Sequence, residues 1–176
     1  MKNTELIFLL IIGLCSCSNP TIVAEKKVLD CLHAENSLAL KLIPKFESHL
    51  IQNGYIDKWD KVNILSLISD IKTKQTTIDL EEIVPYYGDE IEIFGPSKFA
   101  MWTYCFTEIA KEMELNQENS LSAVSFHVTK MVSENNLGLP NDIAIINAIQ
   151  DGDFEKDLYK IPILYLLWTH IRRQNE

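Results

Sequence analysis

The chain has 176 residues, of which 47% are apolar and 23% charged, and its net charge is −9. About 150 folded residues can bury roughly 68 to 70% of the surface the unfolded chain exposes, so one domain with a hydrophobic core is expected once a leader is removed, and a disordered or fibrous chain is excluded. The acidic excess argues against nucleic acid, where affinity comes from lysine and arginine neutralising phosphates, and favours a basic protein surface as partner.

Lys2 and Glu5 precede an apolar run from Leu6 to Leu14 that has the length of a signal-peptide core. Polar Ser16, Ser18 and Asn19 end it well short of the about 20 residues that a bilayer core of about 30 Å requires. Within it, Leu14-Cys15-Ser16-Cys17 resembles the lipobox of bacterial lipoproteins, in which leucine, a loosely specified residue and a small residue precede the cysteine that is lipidated and becomes residue one. Cys15 is a weaker candidate, because Leu14 before it is larger than the pattern wants. Two departures stand out: Glu5 halves the positive charge of Lys2, and Cys15 is an uncommon occupant of its lipobox place.

The resemblance covers about the first twenty residues. It implies a cleaved signal over 1–16, a diacylglyceryl thioether with palmitate-type acyl chains on Cys17, and a tether over 17–20. It also implies a membrane-anchored domain over 21–176 in the cell envelope, outside the cytoplasm. Ser18 after Cys17 resembles lipoproteins sent to the outer rather than the inner membrane. The alternatives are an ordinary cleaved signal and a buried amino-terminal helix. Disulfides persist outside the cytosol, so Cys31 and Cys105 are candidates for a bridge; the alternative is two free thiols packing as small hydrophobes.

Six glycines and six prolines leave few breakers, and the expected fold is all-α, a single compact bundle of about six or seven helices. From about Thr21 to Gly54, Val28, Leu32, Leu38, Leu42, Phe46 and Leu50 recur near a helical turn. Pro44 lies inside this stretch, where a proline costs about 3 kcal/mol, so two helices or a kink are expected, ended by Asn53-Gly54. A second helix is expected from about Asp57 to Lys74, with Trp59, Val62, Leu65, Ile68 and Ile71 spaced by three and read as one inward face.

Thr76-Thr77 can cap a short helix from Ile78 to Tyr87, stopped near Pro85. Glu90-Ile91-Glu92-Ile93 alternates like a strand but has no strand partner, so the stretch reads as an irregular connection. Gly95-Pro96-Ser97 opens the next helix, with Phe99, Trp102, Phe106, Ile109 and Met113 inward and Lys98, Thr103, Thr107, Lys111 and Glu114 outward. Asn119-Ser120 caps another, whose stripe of Leu121, Val124, Val128, Met131 and Val132 ends near Asn136 and Gly138. A further helix follows Pro140-Asn141 and closes at Gly152. In the last, Ile161, Ile163, Leu164, Leu166, Leu167, Trp168 and Ile171 occupy almost every side, which marks a central helix. Pro162 fits its first turn, and Arg172 and Arg173 suit the negative end of its dipole.

No catalytic residue, metal site or cofactor is assigned. His33, His49, His127 and His170 form no ligand spacing, and neither HExxH nor CxxC occurs. Gly95-Pro96-Ser97-Lys98 lacks the glycine pattern of a phosphate cradle. Asp151-Gly152-Asp153-Phe154-Glu155-Lys156-Asp157 crowds four carboxylates, but in the wrong register for an EF-hand, and reads as a solvated turn. An envelope hydrolase using Glu81 and Glu82, or Asp151 and Asp153, is the enzymatic alternative, although sequence neighbours on a helix point to different sides.

Between Lys74 and Lys98 stand Asp79, Glu81, Glu82, Asp89, Glu90 and Glu92, with Tyr86 and Tyr87 and no basic residue. Clustered carboxylates steer a basic partner and tyrosine offers a rigid contact surface, so Glu81, Glu82, Tyr86, Tyr87, Asp89 and Glu90 are the partner-binding candidates. The expected role is therefore a non-catalytic binding or structural lipoprotein; one version is a periplasmic immunity protein or inhibitor that masks a basic partner.

Overall fold

The computed structural model describes residues 19–79, 96–116, 118–133 and 142–175. Among them the secondary structure is helical throughout: α1 (Pro20–Gln52), α2 (Lys61–Lys72), α3 (Pro96–Glu112), α4 (Ser120–Ser133), α5 (Asp142–Ala148), a 3-10 turn at Asp151–Asp153, and α6 (Asp157–Asn175). The all-α expectation is met. The leader with Cys17, most of the expected 78–87 helix and the 90–93 stretch lie outside the described residues; Ile78 and Asp79, which are described, are not helical.

α1 begins where Asn19 accepts a hydrogen bond from the Thr21 N–H (3.0 Å), with Pro20 in the first turn where its missing N–H costs nothing. It runs through Pro44 as one helix, which corrects the expected break. Pro44 faces solvent while Leu42, Ile43 and Phe46 beside it are buried. Burial of about 1.5–3 kcal/mol for each such side chain outweighs the about 3 kcal/mol penalty of the proline. Glu25 and Glu47 of α1 pair with Lys156, just before α6, and with Lys160 in its first turn.

α2 starts at Lys61, later than expected, because Asp60 is extended and caps it through the Asn63 N–H (2.9 Å). Its buried face is Ile64, Leu67, Ile68 and Ile71, while Val62 is 76% exposed. Of the expected inward set, Trp59, Ile68 and Ile71 are buried and Leu65 partly so, and only Val62 departs. Each step of three falls about 60° short of a full turn, so Trp59 to Ile71 sweeps most of the way around, whereas spacings of three and four together hold one face. In α3, Trp102, Cys105 and Phe106 are buried as a stripe, but Thr103, expected outward, is also buried, against α4. α6 starts at Asp157, so Pro162 lies inside the helix rather than in its first turn.

α6 packs on α1, α2 and α5; α3 packs on α1 and α4; α4 packs on α5. The core is continuous from Val28 and Phe46 of α1 through Phe106 and Val128 to Leu164 and Leu167 of α6. A disulfide joins Cys31 of α1 to Cys105 of α3 with the Cα atoms 5.8 Å apart, bridging a sequence separation of 74. Three helices end in the same reversal, with the residue after the cap at positive φ: Gly54 (70°), Lys74 (57°) and Glu114 (48°). After α2 the Gln75 N–H returns to the Asp70 carbonyl (2.9 Å) and the Lys74 N–H to that of Ile71 (3.1 Å), the Schellman pattern that glycine serves without a Cβ penalty.

Opening the Cys31–Cys105 loop by Cys31→Ser with Cys105→Ser is expected to destabilise the domain by about 4 kcal/mol in the chain-entropy account, read as a fall in the denaturation midpoint with a steeper slope, because the unfolded chain is less compact without the bridge. Lys74→Gly and Glu114→Gly are each expected to stabilise by about 1 kcal/mol, and Gly54→Ala to cost about as much, measured by thermal melting.

Candidate functional site

Polar chemistry gathers where the first turns of α1 and α6 meet. Glu25 of α1 is 8% exposed and accepts hydrogen bonds from Lys156 Nζ (2.7 Å) and the Tyr159 hydroxyl (3.2 Å). Lys156 also pairs with Asp153 (2.6 Å), and Asp153 accepts from the Ser120 hydroxyl (2.6 Å). Ser120 in turn accepts from the Gln150 N–H (2.9 Å), so one chain of bonds ties α1, the head of α4, the 3-10 turn and α6. One turn along α6, Lys160 is 6% exposed, pairs with Glu47 (2.7 Å) and lies 5.6 Å over the Trp59 ring.

The titration behaviour follows from this packing. Burial and the nearby charge of Glu25 push the Tyr159 phenol well above its ordinary range, so it is a hydrogen-bond donor at neutral pH. Burial acts to lower the Lys156 ammonium, but its bonds to Asp153 and Glu25 outweigh burial and raise it. These carboxylates are engaged by cations and hydroxyls that hold helices together. Each buried member is matched, which is the arrangement of a structural cluster rather than of an acid and base with separated proton affinities.

Two recesses open on the surface. One, of about 670 Å³, runs between α3 and α4 and is lined by Thr103, Thr107, Ala110, Leu115, Ser125 and Phe126 among others, with more apolar than polar surface on its walls. Phe126 is 62% exposed, as is Tyr104 on α3. The other, of about 290 Å³, lies between the carboxyl ends of α2 and α6 and is lined by Lys72, Lys74, His170 and Arg173. Cations there complement two helix C-termini.

Several expected site residues can be placed. Cys31 and Cys105 are joined, while Cys17 and all of Glu81, Glu82, Tyr86, Tyr87, Asp89 and Glu90 lie outside the described residues. Asp151 is exposed and pairs with Lys61 (3.3 Å), whereas Asp153 is drawn into the Glu25 cluster, so the two do not converge on a pocket. His49 bonds Asn53 in α1's last turn, His127 packs edge-on against Phe126, and His170 lies in the α2–α6 recess. Among the described residues no three His, Cys, Asp or Glu side chains are placed to hold a metal ion.

Sequence reasoning missed Glu25, Glu47, Lys156 and Lys160, whose partners stand more than a hundred residues away. The readable signal was Lys160, a charge set against the apolar run of α6. Compared with known proteins, the chain matches no family model, no curated protein and no solved structure. Fold and site together define an all-α domain closed by one disulfide and by a buried ionic cluster between its longest helix and its central one.

Removing the Glu25 carboxylate leaves Tyr159 without its acceptor and Lys156 with Asp153 alone, and Glu25→Ala is expected to cost about 2 kcal/mol, the half-exposed lysine holding this below the value for a fully buried pair. Tyr159 and Lys156 are both shifted upward, so the folded state keeps protons that the unfolded chain releases. Their contribution is fully present below the ordinary values of 10.0 and 10.5 and is lost as pH rises through the higher folded ones. Melting temperatures measured from pH 8 to 11 are expected to fall more steeply for the wild type than for Glu25→Ala.

Proposed function

We propose that the chain is an exported, lipid-anchored envelope protein whose helical domain binds a partner rather than catalysing a reaction. The observation that carries the reading is Cys17, preceded by Leu14, Cys15 and Ser16 behind an apolar run of signal-peptide length. Two features support it. The Cys31–Cys105 disulfide is at home in an oxidising space outside the cytosol. Asn19 and Pro20 open α1 two residues after Cys17, so a lipid on that cysteine would hold the domain close against the membrane, with the amino end of α1 nearest it.

The partner is a protein with a basic surface. The net charge of −9 favours its approach, and the acidic, tyrosine-bearing segment with Glu81, Glu82, Tyr86, Tyr87, Asp89 and Glu90 supplies the chemistry to meet it. A periplasmic immunity protein or inhibitor is one form of this role.

Metabolic labelling with palmitate and intact-mass analysis test the anchor. The native product is expected to begin at Cys17 carrying acyl chains, and Cys17→Ser to lose label and membrane association; recovery of unlipidated protein with Met1 attached would overturn the reading. Affinity capture from the envelope tests the partner surface: changing Glu81, Glu82, Tyr86 and Tyr87 to Ala is expected to cut recovery of the basic partner at least tenfold.

A further inference from the structure

The recess between α3 and α4 offers a guest apolar wall more than polar groups. The Thr107 and Thr129 hydroxyls donate to the Tyr104 and Ser125 carbonyls of their own helices (3.4 and 2.8 Å), so they are already engaged within the fold. Ala110, Leu115 and Phe126 supply the apolar surface, and Phe126 is 62% exposed. Glu108, Lys111 and Glu114 carry both signs of charge and so favour neither an anion nor a cation. Apolar surface in water is unfavourable in proportion to its area, so the guest that suits this recess is apolar. It is also slender, because the recess lies between two helices and follows each for about two turns.

Position decides which apolar guest reaches it. Leu115 and Ser122 line the recess and flank the connection from α3 to α4. Asn119 in that connection donates to the Thr21 hydroxyl (2.9 Å), and Glu112 at the end of α3 pairs with Lys27 (2.5 Å). One end of the recess therefore adjoins the opening turns of α1. Two residues carry the chain from Cys17 to Asn19, a span of at most about 7 Å. Anything borne by Cys17 is held beside this end of the recess, at an effective concentration in about the millimolar range.

We propose that one acyl chain of the Cys17 lipid seats in the recess between α3 and α4, against Ala110, Leu115 and Phe126. This inference rests on the lipid-anchor reading and adds a second place for the lipid. A methylene has apolar surroundings in the bilayer and in the recess alike, so the gain comes from covering the recess walls. The seated state leaves fewer chains in the bilayer and holds the protein to the membrane less firmly.

The test feeds growing cells a diazirine-bearing palmitate analogue, then irradiates the native lipoprotein in vesicles of phosphatidylethanolamine and phosphatidylglycerol and maps cross-links by peptide mass spectrometry. The label on Cys17 is expected to cross-link within its own chain, to peptides containing Ala110, Leu115 or Phe126. Phe126→Glu puts a charge on the apolar wall and is expected to cut that yield about tenfold or more. Its melting temperature should change little, because the side chain is exposed. Label on Cys17 that cross-links only to phospholipid, or only to another protein, overturns the inference and leaves the anchor standing. An unchanged yield in Phe126→Glu also overturns it. A product without label on Cys17 overturns the seat and the anchor together.

Discussion

Ten consecutive residues of α6, from Leu158 to Leu167, are buried, and a helix that is apolar on every side is stable only when other elements enclose it. Among the described residues the longest helix packs along it, while α2 and α5 cover other sides. Enclosure brings polar groups inward as well. Lys160 and Tyr159 enter the core at the head of α6, and each must find an acceptor or carry the full cost of desolvation. Glu25 and Glu47 of α1 meet that need, so the same pairs that satisfy α6 also fix how α1 lies against it. The disulfide then ties α1 to α3, and through α3 the α4–α5 pair is held to the same body.

This dependence separates groups that serve the fold from groups open to a ligand. The Glu25–Lys156–Asp153–Ser120 chain is rich in carboxylates, and in a sequence reading such a collection near a turn invites a metal or an acid–base pair. In three dimensions the carboxylates of Glu25 and Asp153 face the Lys156 ammonium and the Tyr159 and Ser120 hydroxyls, and the cluster works as a clasp. In the recess between α3 and α4, by contrast, the Thr107 and Thr129 hydroxyls donate to carbonyls of their own helices.

Much of the helical layout was legible because it is local. The stripe of Leu121, Val124, Val128 and Met131 has the mixed three-and-four spacing that keeps one face, and all four are buried behind an Asn119 side chain that accepts from the Leu121 N–H (2.8 Å). Where spacing was uniformly three, around α2, Trp59, Ile68 and Ile71 are buried and Leu65 packs on the core as expected, but Val62 is exposed. Pro44 was misjudged for a different reason: its cost is local, but the burial on either side that outweighs it depends on α6, which lies more than a hundred residues further along. Thr103 looked like a solvent position by period and is covered because α4 packs there.

What the amino acids alone determined were the properties set within a few residues: helix content, the cap at Asn119, the reversal at Asn53-Gly54, and the apolar-all-round character that makes α6 central. These depend on backbone hydrogen bonding and on a 3.6-residue period, both of which act over short separations. Tertiary structure alone decided that Glu25 meets Lys156 and Tyr159, that Glu47 meets Lys160, and that a recess opens between α3 and α4. Such contacts arise from how whole helices pack and cross, and no pattern confined to one helix records which distant side chain will complete them.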